Sequence, residues 1–568
     1  MKKLYILISL GCFIFNNGYA SNTSLVFQSE ESPSVQEMLF NMTLAQKVGQ
    51  LLMVGVKDKH LTPETQKLVK DLKLGGVIFY SHNVTHPLQV KEFVLDLQQI
   101  SRLEHQTPLF IAVDQEGGSV ARIRKNTQIL PSAMAIGATR SPQFAFMAGK
   151  MTALDLSAMG INMNLAPVLD INTNEENSVI GIRSFGESPE LVSQLGMWYI
   201  EGLQSQGVVA TAKHFPGHGD TIQDSHYTVP VLQKNLEDLE KFHLIPFRRA
   251  IENGLDAIMT AHISVPGLDP SGIPATFSYN LLTNIIRNRM NFEGVIITDD
   301  LEMKSIQNDY GIGEAALKAI LAGADMVMVS WTKNKKYEVF KTLLEAVKTG
   351  KLSEQRLNQS VKRILKLKLK RGIFEPHRGP ALAETLGNTL HKNLAQKIAD
   401  HAVTVVTNEG GIFPLQEEDT RRVLLITPLD NFYRDFKFFY ERTGLQLMPA
   451  RPTLSQIEST VSEITQRKER YDLFIFGVTH PSQLDIINQL SQTIEKPIAV
   501  ISFGSPYFLR KLKHVSAYVC SYGMEKELIH ATAQVLSGIL RPYGTLPVSL
   551  NKDVVLVEKK ETSTISRK

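Results

Sequence analysis

The chain has 568 residues, of which 43% are hydrophobic and 21% are charged. This composition is typical of a globular protein, and the length exceeds that of one ordinary core, so we expect two domains. The formal net charge of +4 is too small over this length to indicate a nucleic-acid-binding surface, and we expect no nucleic-acid partner.

The first twenty residues have the pattern of an export signal. Two lysines precede the apolar run Leu4–Phe15, and Gly18 and Ala20 place small residues before Ser21. We therefore predict a signal peptide over residues 1–20, cleaved after Ala20, and a periplasmic or secreted protein. A lipoprotein signal that uses Cys12 is the weaker alternative. The apolar run is too short to span a bilayer, and we expect no transmembrane helix after signal removal.

Cysteine usage agrees with an exported protein that has a large core. Cys12 and Cys520 are the two cysteines of the sequence. The mature chain would then carry one thiol and no internal disulfide, which a large periplasmic protein tolerates.

Apolar runs of strand length alternate with helix-length amphipathic segments over residues 34–374. Continuous apolar strands separated by helices indicate a parallel sheet, and eight such units indicate a TIM-like (β/α)8 barrel. The eight runs are Gln50–Val56, Gly76–Tyr80, Leu109–Asp114, Ile161–Ala166, Val208–Lys213, Asp256–His262, Gly294–Asp299 and Ala324–Ser330.

A segment with two glycines and two prolines, Gly372–Pro380, suggests a domain boundary. Beyond it we predict a smaller α/β sandwich domain over residues 382–557. Its expected strands are Val403–Thr407, Val423–Thr427, Leu473–Gly477, Ile498–Phe503 and Ala517–Ser521.

Polar side chains close five of the predicted barrel strands. They are Asp114, Asn164, the pair Lys213-His214, His262 and Asp299. A barrel builds its active site from residues at the carboxyl ends of several strands, so these positions predict a catalytic face.

The stretch from Lys213 to His226 is the most polar of these strand ends. Pro216 and two glycines argue against a helix there, which weakens a zinc site formed by His214 and His218 at helical spacing. An ordinary surface loop is the other alternative. Asp224 stands two residues before His226, and a carboxylate there would fix the imidazole tautomer for proton transfer.

Asp299 and Asp300 end the seventh predicted strand. Adjacent strand residues point to opposite sides, so we expect one of the two carboxylates to face the cavity. A carboxylate there would serve as a nucleophile toward an acetal carbon, and a helix N-cap is the structural alternative.

The motifs together resemble those of a glycoside hydrolase family 3 β-N-acetylhexosaminidase of the two-domain, exported type. The resemblance covers residues 44–371 and, more loosely, the second domain. The motifs are Asp114-Gln115-Glu116-Gly117-Gly118, Arg183-Ser184-Phe185-Gly186, Lys213-His214-Phe215-Pro216-Gly217-His218-Gly219-Asp220, Asp224-Ser225-His226 and Thr298-Asp299-Asp300-Leu301.

The resemblance implies that Asp299 is the nucleophile and that His226 is the acid/base, oriented by Asp224. It also implies retention of configuration through a covalent glycosyl-enzyme, with release of terminal β-linked N-acetylglucosamine from cell-wall-derived or chitin-derived saccharides. No cofactor or metal is implied, and we expect a monomer. The residues implied to bind the sugar are Asp114, Arg183, Lys213 and His214, followed by Arg122. From its place on the sixth predicted strand, His262 is a candidate to bind the sugar or to support residues that do, and a packed structural histidine is the alternative.

Four alternatives stay open at this point. A β-glucosidase of the same fold typically has an aromatic residue after the nucleophile, where this chain has Asp300. A phosphorylase is compatible with a histidine acid/base, because that group does not repel phosphate. Substrate-assisted hydrolysis by the Asp299-Asp300 pair is a third alternative. A non-catalytic cell-wall sugar-binding protein is the fourth, and the complete set of ionisable strand ends argues against it.

Overall fold

The computed structural model describes residues 34–105, 107–225, 227–376, 379–416 and 418–550. The predicted signal peptide, Cys12 and His226 lie outside these residues, as does the end of the predicted second domain. Within the described residues, none of the helices is both long and apolar enough to cross a lipid bilayer.

Eight parallel strands close into a barrel, in the order β1-β10-β9-β8-β7-β6-β3-β2. A short hairpin, β4–β5, follows the third of them. Each predicted barrel run overlaps one strand of the barrel, so the barrel prediction is confirmed. The strands are β1 (Leu52–Gly55), β2 (Gly76–Phe79), β3 (Phe110–Val113), β4 (Gln115–Gly117), β5 (Val120–Ala121), β6 (Met163–Asn164), β7 (Val209–Phe215), β8 (Ala257–Thr260), β9 (Val295–Asp300) and β10 (Met326–Val329).

Helices cover the outside of the barrel and bury the apolar outer faces of its strands. They are α1 (Val35–Asn41), α2 (Leu44–Gln50), α3 (Pro63–Leu72), α4 (Pro87–His105), α5 (Ala133–Thr139), α6 (Pro142–Ala158), α7 (Pro189–Gln204), α8 (Leu236–Lys241), α9 (Ile245–Glu252), the π-helix Asn280–Arg289, α10 (Lys304–Gln307), α11 (Ile312–Ala322), α12 (Lys333–Lys348) and α13 (Glu354–Lys370).

The sequence marks several helix starts directly. Thr62, Ser141 and Ser188 each cap a helix with the side-chain oxygen, and proline occupies the next position. Hydroxyl residues at the N-cap accept an otherwise unpaired backbone N–H, and proline at the first helical position lacks one.

The second domain is built on a six-stranded sheet in the order β11-β16-β15-β14-β12-β13. The pairs are parallel except β11 with β16, which is antiparallel. Its elements are α14 (Leu382–Thr385), α15 (Thr389–Ala402), β11 (Thr404–Asn408), β12 (Val423–Thr427), α16 (Asp430–Phe439), β13 (Thr443–Leu447), α17 (Leu454–Arg467), β14 (Leu473–Val478), α18 (Leu484–Leu490), β15 (Ile498–Ser502), β16 (Ala517–Cys520) and α19 (Lys526–Leu536).

Strand β13 is absent from the sequence-based expectation. It pairs with β12 alone at the edge of the sheet, and Leu447 at its end is exposed. Gly444 and Gln446 also interrupt the apolar pattern. An edge strand pairs with a neighbouring strand along one edge only, so its side chains are less completely buried. Its sequence therefore needs no continuous apolar run.

The two domains meet through apolar packing, since residues of α5 belong to the core of the second domain and residues of α15 pack into the core of the barrel, and through polar contacts. The hydroxyl of Ser132 donates to the carbonyl of Tyr522 over 2.6 Å, and the hydroxyl of Tyr507 donates to the carbonyl of Asn172 over 2.9 Å. Both barrel residues belong to loops on the catalytic side of the barrel. The second domain therefore supports the segments that surround the cavity.

Candidate active site

A cavity of about 520 Å³ opens at the carboxyl ends of the barrel strands. This volume is in the range typical of sites for small ligands. The residues that line it are Ile78, Tyr80, Ser81, His82, Asp114, Glu116, Val120, Arg122, Leu165, Val179, Arg183, Lys213, His214, His218, Ser225, Met259, Asp299, Asp300, Met303, Met328 and Trp331.

One side of the cavity, the polar wall, consists of Asp114, Glu116, Arg122, Arg183 and Lys213. Its centre is Lys213, which is buried on β7 with its ammonium 2.8 Å from Asp114 Oδ1 and 2.7 Å from Glu116 Oε1. Burial alone would lower the pKa of Lys213, but the two carboxylates raise it above its ordinary value. Lys213 is therefore charged at any physiological pH.

Glu116 links Lys213 to Arg183. Arg183 Nε and Nη2 each donate to one Glu116 oxygen over 2.8 Å, which gives a bidentate pair. Although burial would raise it, the two cations hold the pKa of Glu116 far below its ordinary value. Glu116 belongs to the motif that follows the third predicted strand, but the motif alone predicts no role for it.

The β4–β5 hairpin brings Glu116 and Arg122 to the cavity. Gly117 and Gly118 at its turn have φ angles of 98° and 55°, which glycine adopts without strain. Arg122 Nη2 lies 3.6 Å from Asp114 Oδ2. Arg122 thus joins the polar wall at its more exposed edge.

Asp170 holds the segment after β7 in place. It is fully buried, and its carboxylate accepts from the backbone N–H of His214 and of His218 and lies 2.7 Å from His214 Nδ1. Burial would raise the pKa of Asp170, but these contacts hold it below the ordinary value. The sequence does not predict this role for Asp170, because the residue lies in an irregular segment with no recognisable motif.

His218 organises the loop that carries Asp224. Its ring nitrogens contact Ser225 Oγ over 2.9 Å and Thr221 Oγ1 over 2.7 Å, and burial lowers its pKa. The carbonyl of Asp224 accepts from the N–H groups of Tyr227 and Thr228, which forms a tight turn. His226 lies outside the described residues.

Asp299 and Asp300 both line the cavity, although strict strand alternation predicts one of them. The register between β9 and β10 shifts at Asp300, and such an irregularity breaks the alternation. Asp299 Oδ1 accepts from the N–H of Asp300 over 2.7 Å. Burial raises the pKa of Asp300 to about 6.

His262 lies behind the cavity and does not line it. It is fully buried, with Nδ1 2.8 Å from Thr276 Oγ1 and Nε2 3.1 Å from the carbonyl oxygen of Asp300. In this position His262 supports the backbone of the β9 end. A direct contact with a ligand stays a prediction for this residue.

The other side of the cavity, the aromatic wall, consists of Tyr80, His82 and Trp331. Tyr80 and His82 follow β2, and Trp331 follows β10. No sequence motif marks these three residues, because each stands alone in its segment. Asp299 and Asp300 lie on the strand next to β10 and therefore beside this wall.

Within the described part of the chain, no group of three or more His, Cys, Asp or Glu side chains is arranged to hold a metal ion. The rings of His214 and His218, which the alternative zinc site would use, lie 6.1 Å apart and contact Asp170, Ser225 and Thr221.

The structure thus brings Asp114, Arg122, Arg183, Lys213, His214 and Asp299 around one cavity. Charged donors and acceptors line one side, and a carboxylate stands on the other. Such a site can hold a polar, uncharged ring through charge-assisted hydrogen bonds and present a nucleophile to it.

Residues 43–367 match the family model described as glycosyl hydrolase family 3 N terminal domain. The chain is 31% identical over 552 residues to "Beta-hexosaminidase A" of Pseudoalteromonas piscicida, with 86% of this chain and 92% of that protein covered.

Two solved structures extend the comparison over both domains. A glycoside hydrolase family 3 β-N-acetylglucosaminidase from Paenibacillus sp. str. FPU-7 is 34% identical, with a TM-score of 0.84 over 91% of this chain and all of that one. A β-glucoside phosphorylase is 26% identical, with a TM-score of 0.79 over 91% of this chain and 96% of that one.

Proposed function

The chain belongs to glycoside hydrolase family 3, and from this premise we propose that it releases terminal β-linked N-acetylglucosamine from saccharides by hydrolysis with retention of configuration. The observation that carries the proposal is the position of Asp299. Its carboxylate lines a cavity whose opposite side presents buried, charged hydrogen-bonding groups.

The reaction proceeds in two displacements. An Asp299 oxygen attacks the anomeric carbon, the glycosidic C–O bond breaks, and the leaving oxygen takes a proton from His226. His226 then accepts a proton from water, and the resulting hydroxide attacks the anomeric carbon and frees Asp299. Asp224 fixes the tautomer of His226, a role that its sequence spacing supports.

The polar wall holds the reacting sugar. Lys213 and Arg183 are charged and fixed by Asp114 and Glu116, so they can donate to hydroxyl oxygens without further ordering. Asp114, which follows β3, adds an acceptor, and His214, on β7, adds a ring nitrogen. Because these groups are in place before binding, they favour one orientation of the anomeric carbon toward Asp299.

The proposal includes an extracytoplasmic role. A signal peptide at residues 1–20 would export the enzyme, and lipidation at Cys12 is the alternative anchor. An exported hexosaminidase meets cell-wall-derived and chitin-derived saccharides, so turnover of peptidoglycan is the process that we propose. Cleavage after Ala20, read from the N-terminus of the protein purified from the periplasm, tests the first step.

The central experiment compares aryl β-N-acetylglucosaminide with aryl β-glucoside, in the presence and absence of phosphate. We expect the wild type to prefer the N-acetyl substrate and to release free sugar. Asp299→Asn should lower kcat/KM at least about 10⁴-fold, as loss of a nucleophile or its base typically does. His226→Ala should lower it by a similar factor on substrates with poor leaving groups.

His262→Asn is the matched control, because this histidine supports the same strand end without lining the cavity. It should retain far more activity than Asp299→Asn. Equal rates on both aryl substrates would contradict the specificity for the N-acetyl group. If phosphate raised the rate and sugar phosphate appeared, the enzyme would be a phosphorylase instead, as one of its structural relatives is.

A further inference from the structure

The aromatic wall is a set of three rings that no step of the proposed reaction uses. The centroids of Tyr80 and Trp331 lie 4.4 Å apart with 34° between the ring planes. His82 stacks on Tyr80 with centroids 6.0 Å apart and 10° between the planes. All three line the catalytic cavity.

Polar contacts hold the side chains of Tyr80 and His82 and the backbone of Trp331, whose ring packs against that of Tyr80. The Tyr80 hydroxyl lies 2.7 Å from Ser330 Oγ, and His82 Nε2 lies 3.0 Å from the carbonyl oxygen of Val56. Glu302 Oε1 accepts from the N–H groups of Trp331 and Thr332 over 2.9 and 2.7 Å. The wall is therefore ordered before any ligand binds, which reduces the entropic cost of binding.

The wall also leaves a large apolar surface open to water. Trp331 keeps 48% of its surface exposed, whereas Lys213 and Glu116 on the opposite side are almost fully buried. A half-exposed tryptophan at the mouth of a site is typical of a binding surface, because a ligand that covers the ring removes apolar surface from water, which favours binding.

We propose that Trp331, backed by Tyr80 and His82, forms the subsite for the leaving-group sugar, on which the pyranose ring next to the cleaved bond stacks. This inference rests on the proposed function. The C–H face of a pyranose is apolar and flat, and it matches the face of an indole ring.

The position of the wall decides between the two sugars. The reacting ring needs the buried, charged groups of the polar wall around its hydroxyls. The leaving sugar must depart to solvent, and the half-exposed Trp331 is on that path. Since β9 and β10 are neighbours, the wall lies directly beside Asp299, which marks the bond to be cleaved.

The first test compares two substrates that share the reacting sugar and differ in the leaving group. One is the β-1,4-linked disaccharide of N-acetylglucosamine, and the other is β-N-acetylglucosaminyl fluoride, whose leaving group is a single atom. For Trp331→Ala, the ratio of kcat/KM for the disaccharide to that for the fluoride should fall at least about tenfold.

Trp331→Phe keeps a flat ring and should recover most of that ratio. Trp198→Phe is the matched control, because Trp198 is the other tryptophan of the chain and lies on α7, away from the cavity. An equal loss on both substrates would show that Trp331 serves the reacting sugar and would overturn the proposal. An unchanged ratio would overturn it as well.

A binding measurement separates this inference from the proposed function. In Asp299→Asn/Trp198→Phe, Trp331 is the one remaining tryptophan, and the disaccharide should change its fluorescence saturably. The variant Asp299→Asn/Trp331→Phe should show no such change. If the wild type hydrolysed neither substrate, the proposed function would be contradicted, and the titration would still decide whether the wall binds a saccharide.

Discussion

The polar wall and the Asp299-Asp300 pair place carboxylates in the same cavity, but in opposite electrical surroundings. Glu116 is buried between two cations, which hold its pKa far below the ordinary value. Asp300 is buried beside the carboxylates of Asp299 and Glu302, and burial, followed by the effect of those two charges, raises its pKa to about 6. The charge state of a carboxylate in this cavity is thus decided by its partners and not by its depth.

The difference matches two tasks. Fixed charges suit the side that holds hydroxyl groups, because their hydrogen bonds keep one direction at every pH in use. The raised pKa of Asp300 favours its protonated form, and a protonated Asp300 adds no second negative charge beside Asp299. Neutralising a carboxylate of the polar wall should therefore lower the stability of the fold, whereas neutralising Asp300 should raise it.

The largest effect on stability is expected for Glu116→Gln. The substitution leaves Arg183 and part of Lys213 buried without their carboxylate, and breaking a buried ion pair typically costs about 3–5 kcal/mol. Urea unfolding at pH 7 measures this loss. Since the pKa of Glu116 is lowered on folding, its stabilisation is complete above the unfolded pKa of about 4.3 and is lost only as pH falls well below it.

The control for this prediction is Glu175→Gln, which removes a half-exposed carboxylate from Arg510 at the domain interface. Exposed pairs contribute about 0–1 kcal/mol. If the two variants lost equal stability, the loss in Glu116→Gln could not be attributed to the burial of the charges in the polar wall.

Asp300→Asn should act in the opposite direction. The folded pKa of about 6 exceeds the unfolded value of about 3.9, so the folded state binds more protons between these values. Wild-type stability should therefore fall as pH rises from about 4 through about 6 and then stay level. The variant lacks this slope and should gain up to about 2–3 kcal/mol over the wild type above pH 7.

Asparagine keeps an oxygen that can accept from the N–H of Glu302, as Asp300 does over 3.0 Å. Thermal unfolding between pH 4 and 8 checks the prediction. A variant that loses stability equally at every pH would contradict the view that Asp300 is a buried acid with a raised pKa.

The smallest effect is expected for Tyr80→Phe. The change removes the contact with Ser330 Oγ and keeps the ring, and one such hydrogen bond typically contributes about 0.5–1.5 kcal/mol. The ratio of disaccharide to fluoride turnover should fall only about two- to threefold, less than for Trp331→Ala. A loss of stability as large as that of Glu116→Gln would mean that the aromatic wall is also held by charge.

Much of the fold could be predicted from the sequence. The eight apolar runs, their alternation with helices and the polar residues at their ends are local patterns, and each needs only a few neighbouring residues to be recognised. Strand β13 could not be predicted, because an edge strand carries a weaker apolar pattern than a central one. Asp170 gave no signal for a similar reason, since it stands in an irregular segment.

The sequence by itself determined the order of strands and helices and the set of ionisable groups at the barrel mouth, because continuous apolar runs and helix-start residues act locally. Only the tertiary structure decided which carboxylate is paired with which cation, and that Tyr80 meets Ser330 across 250 residues of chain. Barrel closure brings β2, β1 and β10 side by side, and the aromatic wall exists only as a result of that closure.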